Sequence, residues 1–474
     1  GAEVIGMLKS LVGDSGYKRA LDLYFDRHDG DAATIEDWLK VFEDTTDRDL
    51  SQFKRWYSQA GTPRLKVEDA WNNGVYTLTF TQKNPATPGQ PEKDPKVIPI
   101  KVGLLNPNGD EVVPTIMLEM TRAKQSFRFE GLAARPVPSI LRGFSAPVVL
   151  DRKPVAGERA FLLAHDTDPF NKWEAGRGLA KEVMAEMALK GTPVRGDWLD
   201  AVAAVTFDET LDPAFRALCL RLPGEDDLAQ TIHAMGRIPD PAKIHAARRE
   251  MAGALAIRLG EGLHRLYKDL DDNAPFSPSA EQAGRRALKI AALQLLTRRD
   301  GGKLAASAFA RARSMTEEVG ALAALLDVHQ GEKELVAFAA RWGRDANVMD
   351  KWYALQIATA EPAEVAALTA RLIETPGFDW KNPNRFRTVI GALAANHGGF
   401  HHRSGSGYRL VADWLLRLDP LNPQTASRVS TAFETWPRYD ATRRKLARAE
   451  LERMLAAPLS GDLREMVERM LAAG

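Results

Sequence analysis

The sequence predicts a multidomain, mainly α protein: a short helical segment, then a small β-sandwich, then a large irregular α-superhelix. Three observations carry this prediction. Apolar residues recur with a helical period over residues 1–62, alternate with period 2 over 63–150, and return to the helical period over 151–474. At 474 residues the chain exceeds what one hydrophobic core holds, so two or three domains are expected. Asp-Pro and Asn-Pro dipeptides recur through the last segment, each pairing an N-cap side chain with a proline suited to the first helical position.

The first segment reads as three or four helices. "GAEVIGMLKSLVG" sets Val4, Met7, Leu8 and Leu11 on one face, and "YKRALDLYF" does the same with Tyr17, Ala20, Leu21 and Tyr24. Thr34 with Asp37 resembles a capping box opening a helix that repeats the spacing at Ile35, Trp38, Leu39 and Phe42. "FKRWYSQAGTP" closes the segment, with Leu50, Phe53, Trp56 and Tyr57 on its buried side, Gly61 suited to a left-handed stop, and Pro63 blocking continuation. So much aromatic surface exceeds what these few helices can bury among themselves, so a partner upstream is expected. The chain starts inside an amphipathic pattern with no initiator Met, basic n-region or cleavage site, which suggests a truncated or proteolytic piece.

From Arg64 the alternation in "VYTLTFTQ" and "VIPIKVGLL" marks half-buried strands, and "NPNGD" supplies a hairpin turn. "VPTIMLEM", "QSFRFEG" and "LRGFSAPVVL" continue the series, while "NPATPGQPEKDP" reads as a surface loop. Short strands at this spacing indicate a sandwich. In the last segment, helix starts fall at Asp168-Pro169, Asp212-Pro213, Asp240-Pro241, Asn382-Pro383 and Asn422-Pro423. No fixed-period repeat stands out, so an irregular solenoid is expected.

Composition narrows the function classes. The net charge of +1 gives no field favouring nucleic acid or an anionic membrane, and no apolar run is long enough to span a bilayer. The lone Cys219 cannot form an internal disulfide; its apolar helical context predicts a buried structural thiol and points to a reducing cytoplasm. No phosphate-binding glycine loop, nucleophile elbow, C-x-x-C or H-E-x-x-H zinc helix is present. His245 and Glu250, five apart, do not share a helix face. His397, His401 and His402 cluster in "NHGGFHHRSGSGY", but no carboxylate or cysteine accompanies them, so an exposed loop is expected rather than a metal site. The pairs Asp226-Asp227 and Asp271-Asp272 read as solvated caps, and most of the ten tryptophans as core. "NPNRFR" and "NPQTASR" each place an arginine, Arg387 and Arg428, within the first two turns of an Asn-Pro helix. That position opposes the helix dipole. The two are either ordinary surface charge or a pair converging on an internal channel, where guanidinium could hold a carboxylate.

Several longer strings are similar to bacterial aminopeptidase N, a zinc-dependent gluzincin family: "GAEVIGML", "YFDRHDGDAATIEDW", "FKRWYSQAGTP", "FSAPV", "VMDKW", "NPNRFR", "GSGY", "NPQTASR" and "RYDATRR". The resemblance covers essentially the whole chain. It implies that 1–62 are the C-terminal helices of a thermolysin-like catalytic domain, 63–150 the β-sandwich and 151–474 the superhelical C-terminal domain. It also implies that the zinc ligands, general base and transition-state tyrosine lie upstream of "GAEVI". On this basis the chain would contain no cofactor of its own, zinc belonging to the parent enzyme, and would be inactive alone. Its partners would be the N-terminal and catalytic domains of the same enzyme and, in the parent, short peptides. The helical domain would cap the active site and enclose a substrate cavity lined by Arg387, Arg428 and Asn384. A free-standing β-sandwich and solenoid that binds a protein partner is the alternative.

Overall fold

The computed structural model describes residues 1–271 and 275–474; Asp272, half of one carboxylate pair singled out above, lies outside the described residues. The chain divides into two compact units, Gly1–Gly176 and Arg177–Gly474.

In the first unit, a long helix Ala2–His28 kinks at Gly13, whose φ of +74° glycine adopts without a side-chain clash. The helix Ile35–Thr46 opens with the expected box: Asp37 N–H donates to Thr34 Oγ1 and Thr34 N–H donates to Asp37 Oδ2. Two expectations change here. Ile35 is exposed rather than on the buried face. "FKRWYSQAGTP" forms only a one-turn helix, Arg55–Ser58, which ends before Gly61, although Gly61 does take a left-handed φ of +87°. The apolar residues of these helices, including Leu8, Phe42 and Phe53, join one continuous core cluster with strand residues such as Leu78, Phe80 and Ile100. Much of the face expected to need an upstream partner is thus covered within the unit, while Ile5 and Phe25 stay exposed.

The sandwich has seven strands: β1 Arg64–Asn72, β2 Val75–Lys83, β3 Ile98–Leu105, β4 Glu111–Met120, β5 Lys124–Phe129, β6 Val137–Ile140 and β7 Val149–Asp151. They form two sheets, ordered β5-β2-β1-β7 and β4-β3-β6. β2 shows why the alternation was readable: Tyr76, Leu78 and Phe80 are buried, while the threonines between them face partly outward. β1, which the alternation did not mark, pairs antiparallel with β2 along its whole length. "LRGFSAPVVL" is not one strand. After β6 the chain makes a tight turn at Arg142–Phe144, where Leu141 and Phe144 adopt positive φ, and only then forms β7.

Arg142 explains that turn. Its side chain is 1% exposed and donates to Ser139 Oγ at 2.9 Å, Thr115 Oγ1 at 2.9 Å, Asp166 Oδ1 at 3.1 Å and Glu111. The guanidinium lies over Gly103 of β3, where an added Cβ would stand 2.1 Å from its central carbon. Asn171 also donates to Ser139 Oγ, at 2.7 Å, and to the Ile140 carbonyl.

The second unit is a stack of helices, for example Pro241–Asp269 against Ala280–Asp300, which packs in turn on Met315–Asp327. The Asx-Pro starts behave as read. Asp212, Asp240, Asn382 and Asn422 each accept from a backbone N–H of the helix they open, and in the first unit Asp168 likewise accepts from Asn171 N–H. Cys219 is half-buried rather than fully buried. Among the described residues no helix is long and apolar enough to cross a membrane.

Removing Arg142 strands the wholly buried Asp166 carboxylate. Arg142→Met is therefore expected to destabilise the chain by about 3–5 kcal/mol. Gly103→Ala should act in the same direction by displacing the guanidinium, whereas Val112→Ala, at an exposed strand position, should stay within about 0.5 kcal/mol. Urea denaturation midpoints of the three variants check this.

Candidate functional site

The Asn382-Pro383 start builds a short helix, Pro383–Phe386, that runs directly into a π-helical turn at Arg387–Gly391. Such widened turns are rare and are often found at functional sites. Two arginines two residues apart are used in opposite ways. Arg385 is buried; it donates to Asp350 at 2.6 Å and to the Gly377 and Ala346 carbonyls, and lies 4.7 Å from the Tyr353 ring centre. It is an anchor that the sequence pattern did not reveal. Arg387 is exposed, and its Nη2 donates to the Asn384 side-chain oxygen at 2.7 Å. Arg428 is also exposed, on the helix Pro423–Ser430, and its guanidinium makes no hydrogen bond or ion pair with the described residues. Asn384 and Arg387 are thus brought together, while Arg428 is not bonded to either. The apolar sides of both helices, with Phe386, Val389 and Ala426, share one core cluster.

The histidines are not in an exposed loop. His397 and His401 are buried in and just after the helix His397–Phe400, and a carboxylate absent from the local sequence faces His397. This is Glu225, in the first turn of Glu225–Ala234. Glu225 Oε1 pairs with His245 Nδ1 at 2.7 Å, and His397 Nδ1 stands 3.7 Å from its other oxygen. His245 Nε2 is 3.5 Å from Glu361, which also faces His329 at 3.2 Å and Arg249 at 3.5 Å. On the other side His397 Nε2 meets the Tyr439 hydroxyl at 2.9 Å, and His401 Nδ1 meets that of Tyr408 at 2.8 Å. Arg443 closes the cluster by donating to the His401 carbonyl and to Asp440. Asp227, expected to be a solvated cap, instead pairs with Arg177 and Lys181. Among the described residues no three His, Cys, Asp or Glu side chains are placed together so as to hold a metal ion.

Burial alone would raise the Glu225 carboxyl, but His245 and the nearby His397 outweigh it and hold it at about 2. The Glu225 hydrogen bond raises His245, against burial. Burial lowers His401 well below its usual value, helped by His397 and Arg443. The depressed Glu225 contributes stability that is present above its ordinary 4.5 and lost as pH falls toward 2. The raised His245 contributes stability that is present below 6.5 and lost as pH rises through its folded-state value. His401 opposes it, since its neutral form is favoured and acidification below 6.5 weakens the fold. His245→Gln is accordingly expected to cost about 1.5–3 kcal/mol at pH 6, the scale of a hydrogen bond to a charged group, and clearly less at pH 9. Urea denaturation at the two pH values checks this, with His233→Gln, at an exposed position, as the control.

A family model described as a domain of unknown function (DUF3458) with an Ig-like fold matches residues 61–153, and a second, described as a domain of unknown function (DUF3458_C) with ARM repeats, matches residues 156–472. Curated proteins named aminopeptidase N are similar over nearly the whole chain. That of Caulobacter vibrioides is 39% identical, covering 99% of this chain and 55% of the relative; that of Escherichia coli is 36% identical, covering 100% and 56%. The chain thus spans little more than half the length of the curated relatives it matches. Among solved structures, the crystal structure of Legionella pneumophila aminopeptidase A in complex with aspartic acid superposes with a TM-score of 0.87 at 26% identity, covering 100% of this chain and 56% of that one. The chain belongs to the family these two domain models define, an Ig-like module followed by ARM repeats, as it occurs in the C-terminal portion of bacterial proteins named aminopeptidase N.

Proposed function

We propose that this chain is the C-terminal part of a cytoplasmic zinc aminopeptidase that removes N-terminal residues from short peptides. Its role in that enzyme is to cap the active site and form the substrate cavity. The observation that carries the reading is the similarity, along essentially the entire chain, to proteins named aminopeptidase N. Zinc, the activated water and the general base belong to the part of the relatives outside the matched span. A free-standing binding scaffold is not favoured, because that similarity runs through the helical segment and the sandwich alike.

Within the cap, Arg387, Arg428 and Asn384 attract the C-terminal side of the peptide. Support comes from their exposure and from the π-helical turn that begins at Arg387, itself held by the buried Arg385. Asn384 fixes one guanidinium nitrogen of the exposed Arg387, and no other described residue takes its remaining donors. Groups of this kind contribute binding energy shared by ground state and transition state, and so act on KM rather than on bond cleavage.

Two outcomes are expected. Hydrolysis of an alanyl 4-nitroanilide by this chain with added zinc should stay at background while a full-length relative turns it over; zinc-dependent turnover by this chain alone would sink the assignment. In the complete enzyme, Arg387→Ala and Arg428→Ala should each raise KM for a tripeptide with a free carboxylate about tenfold, with kcat little changed. The C-terminally amidated tripeptide should be affected much less. Equal losses on both peptides, or a fall in kcat alone, would remove these residues from carboxylate binding.

A further inference from the structure

The helical unit contains a cavity of about 440 Å³ between helices, lined by neither Arg387 nor Arg428, with Leu255, Ile290 and Leu295 among its apolar lining and Arg221, Arg248 and Arg298 around it. The charges around it do not balance. Arg298 is paired with Asp327 at 2.5 Å. Among the described residues Arg248 bonds only through its Nε, to the Pro223 carbonyl at 3.1 Å, so both terminal nitrogens remain as donors there. The Arg221 guanidinium is exposed and makes no hydrogen bond or ion pair with the described residues. Arg249 stands close by, 3.5 Å from the Asp327 carbonyl and 3.5 Å from Glu361. Burial lowers the Arg298 guanidinium, and Arg249 and Arg248 add to that despite Asp327. Like charges gathered over a half-buried apolar hollow repel one another unless an anion joins them.

From this geometry we infer that the cavity is a binding site for a small amphipathic carboxylate. The charged head pairs with Arg248 and Arg221, and the apolar body lies on Leu255, Ile290 and Leu295. A planar guanidinium with two free donors suits a carboxylate. The volume lies within the range of ligand pockets and exceeds what a bare inorganic anion fills. None of Asn384, Arg387 and Arg428 lines this cavity, and the inference does not depend on the peptide-binding reading.

Calorimetric titration of the whole chain with octanoate tests this, beside octanol, which lacks the charge, and inorganic phosphate, which lacks the body. Octanoate is expected to bind one per chain, at least about tenfold more tightly than either control, and more weakly as salt rises. Arg248→Met should weaken it about tenfold, and so should Ala291→Trp, which fills the cavity wall. If Ala291→Trp fails to fold by circular dichroism, Arg248→Met decides alone. Equal binding of octanol, equal binding of phosphate, or an Arg248→Met variant that binds octanoate like the wild type would each overturn the site.

Discussion

The helical unit is organised around one carboxylate that cannot be left alone. Glu225 is largely buried, and a buried charge without partners costs several kcal/mol. Its partners come from elsewhere in the chain: His245 from the long helix Pro241–Asp269 and His397 from the short helix His397–Phe400. His245 then passes the constraint on to Glu361 and His329. Satisfying one side chain thus fixes how several helices sit. The glycines of "NHGGF" are what let His397 arrive there. A Cβ on Gly399 would stand 2.1 Å from Val365 Cγ1, and one on Gly398 would stand 2.8 Å from Pro362. The short helix can lie against the segment bearing Glu361 only because both positions lack a side chain.

The sandwich unit solves the same problem with the sign reversed. Here the buried charge is the cation Arg142, and a glycine on β3 again makes the room. Such ion clusters are poor sources of net stability compared with a packed apolar core, but they are strict about arrangement, because each partner left unpaired is penalised. Arg385 follows the same rule beside the candidate site, and the exposed Arg387 is held where it is by the buried neighbour two residues earlier.

What was legible in the sequence is what depends on near neighbours. The alternation of β2, the Thr34–Asp37 box and the five Asx-Pro starts each rest on contacts within a few residues, and all appear in the structure. What was not legible depends on distance along the chain. Glu225 and His397 are far apart in sequence, so the local sequence around the histidines shows no carboxylate and reads as an exposed loop. Ile35 fits the helical spacing yet faces solvent, because spacing says which residues share a face and not whether anything covers it. "LRGFSAPVVL" looked like a strand because the demand that bends it comes from Glu111 and Asp166. At the candidate site, the Asn-Pro starts drew attention to Arg387 and Arg428, but nothing local separated the outward Arg387 from the inward Arg385 or announced the π-helical turn.

The Asx-Pro starts also bear on how errors spread in a stacked architecture. In a solenoid each helix takes its position from the one before it, so a slip in one could in principle be copied down the stack. Here the phase of each of these helices is reset locally, by an acceptor one residue ahead of a proline that cannot be drawn into the preceding helix. They work like punctuation in a long sentence: a misreading in one clause ends at the next full stop. A stacked array punctuated in this way can therefore vary one helix at a time and leave the register of its neighbours intact.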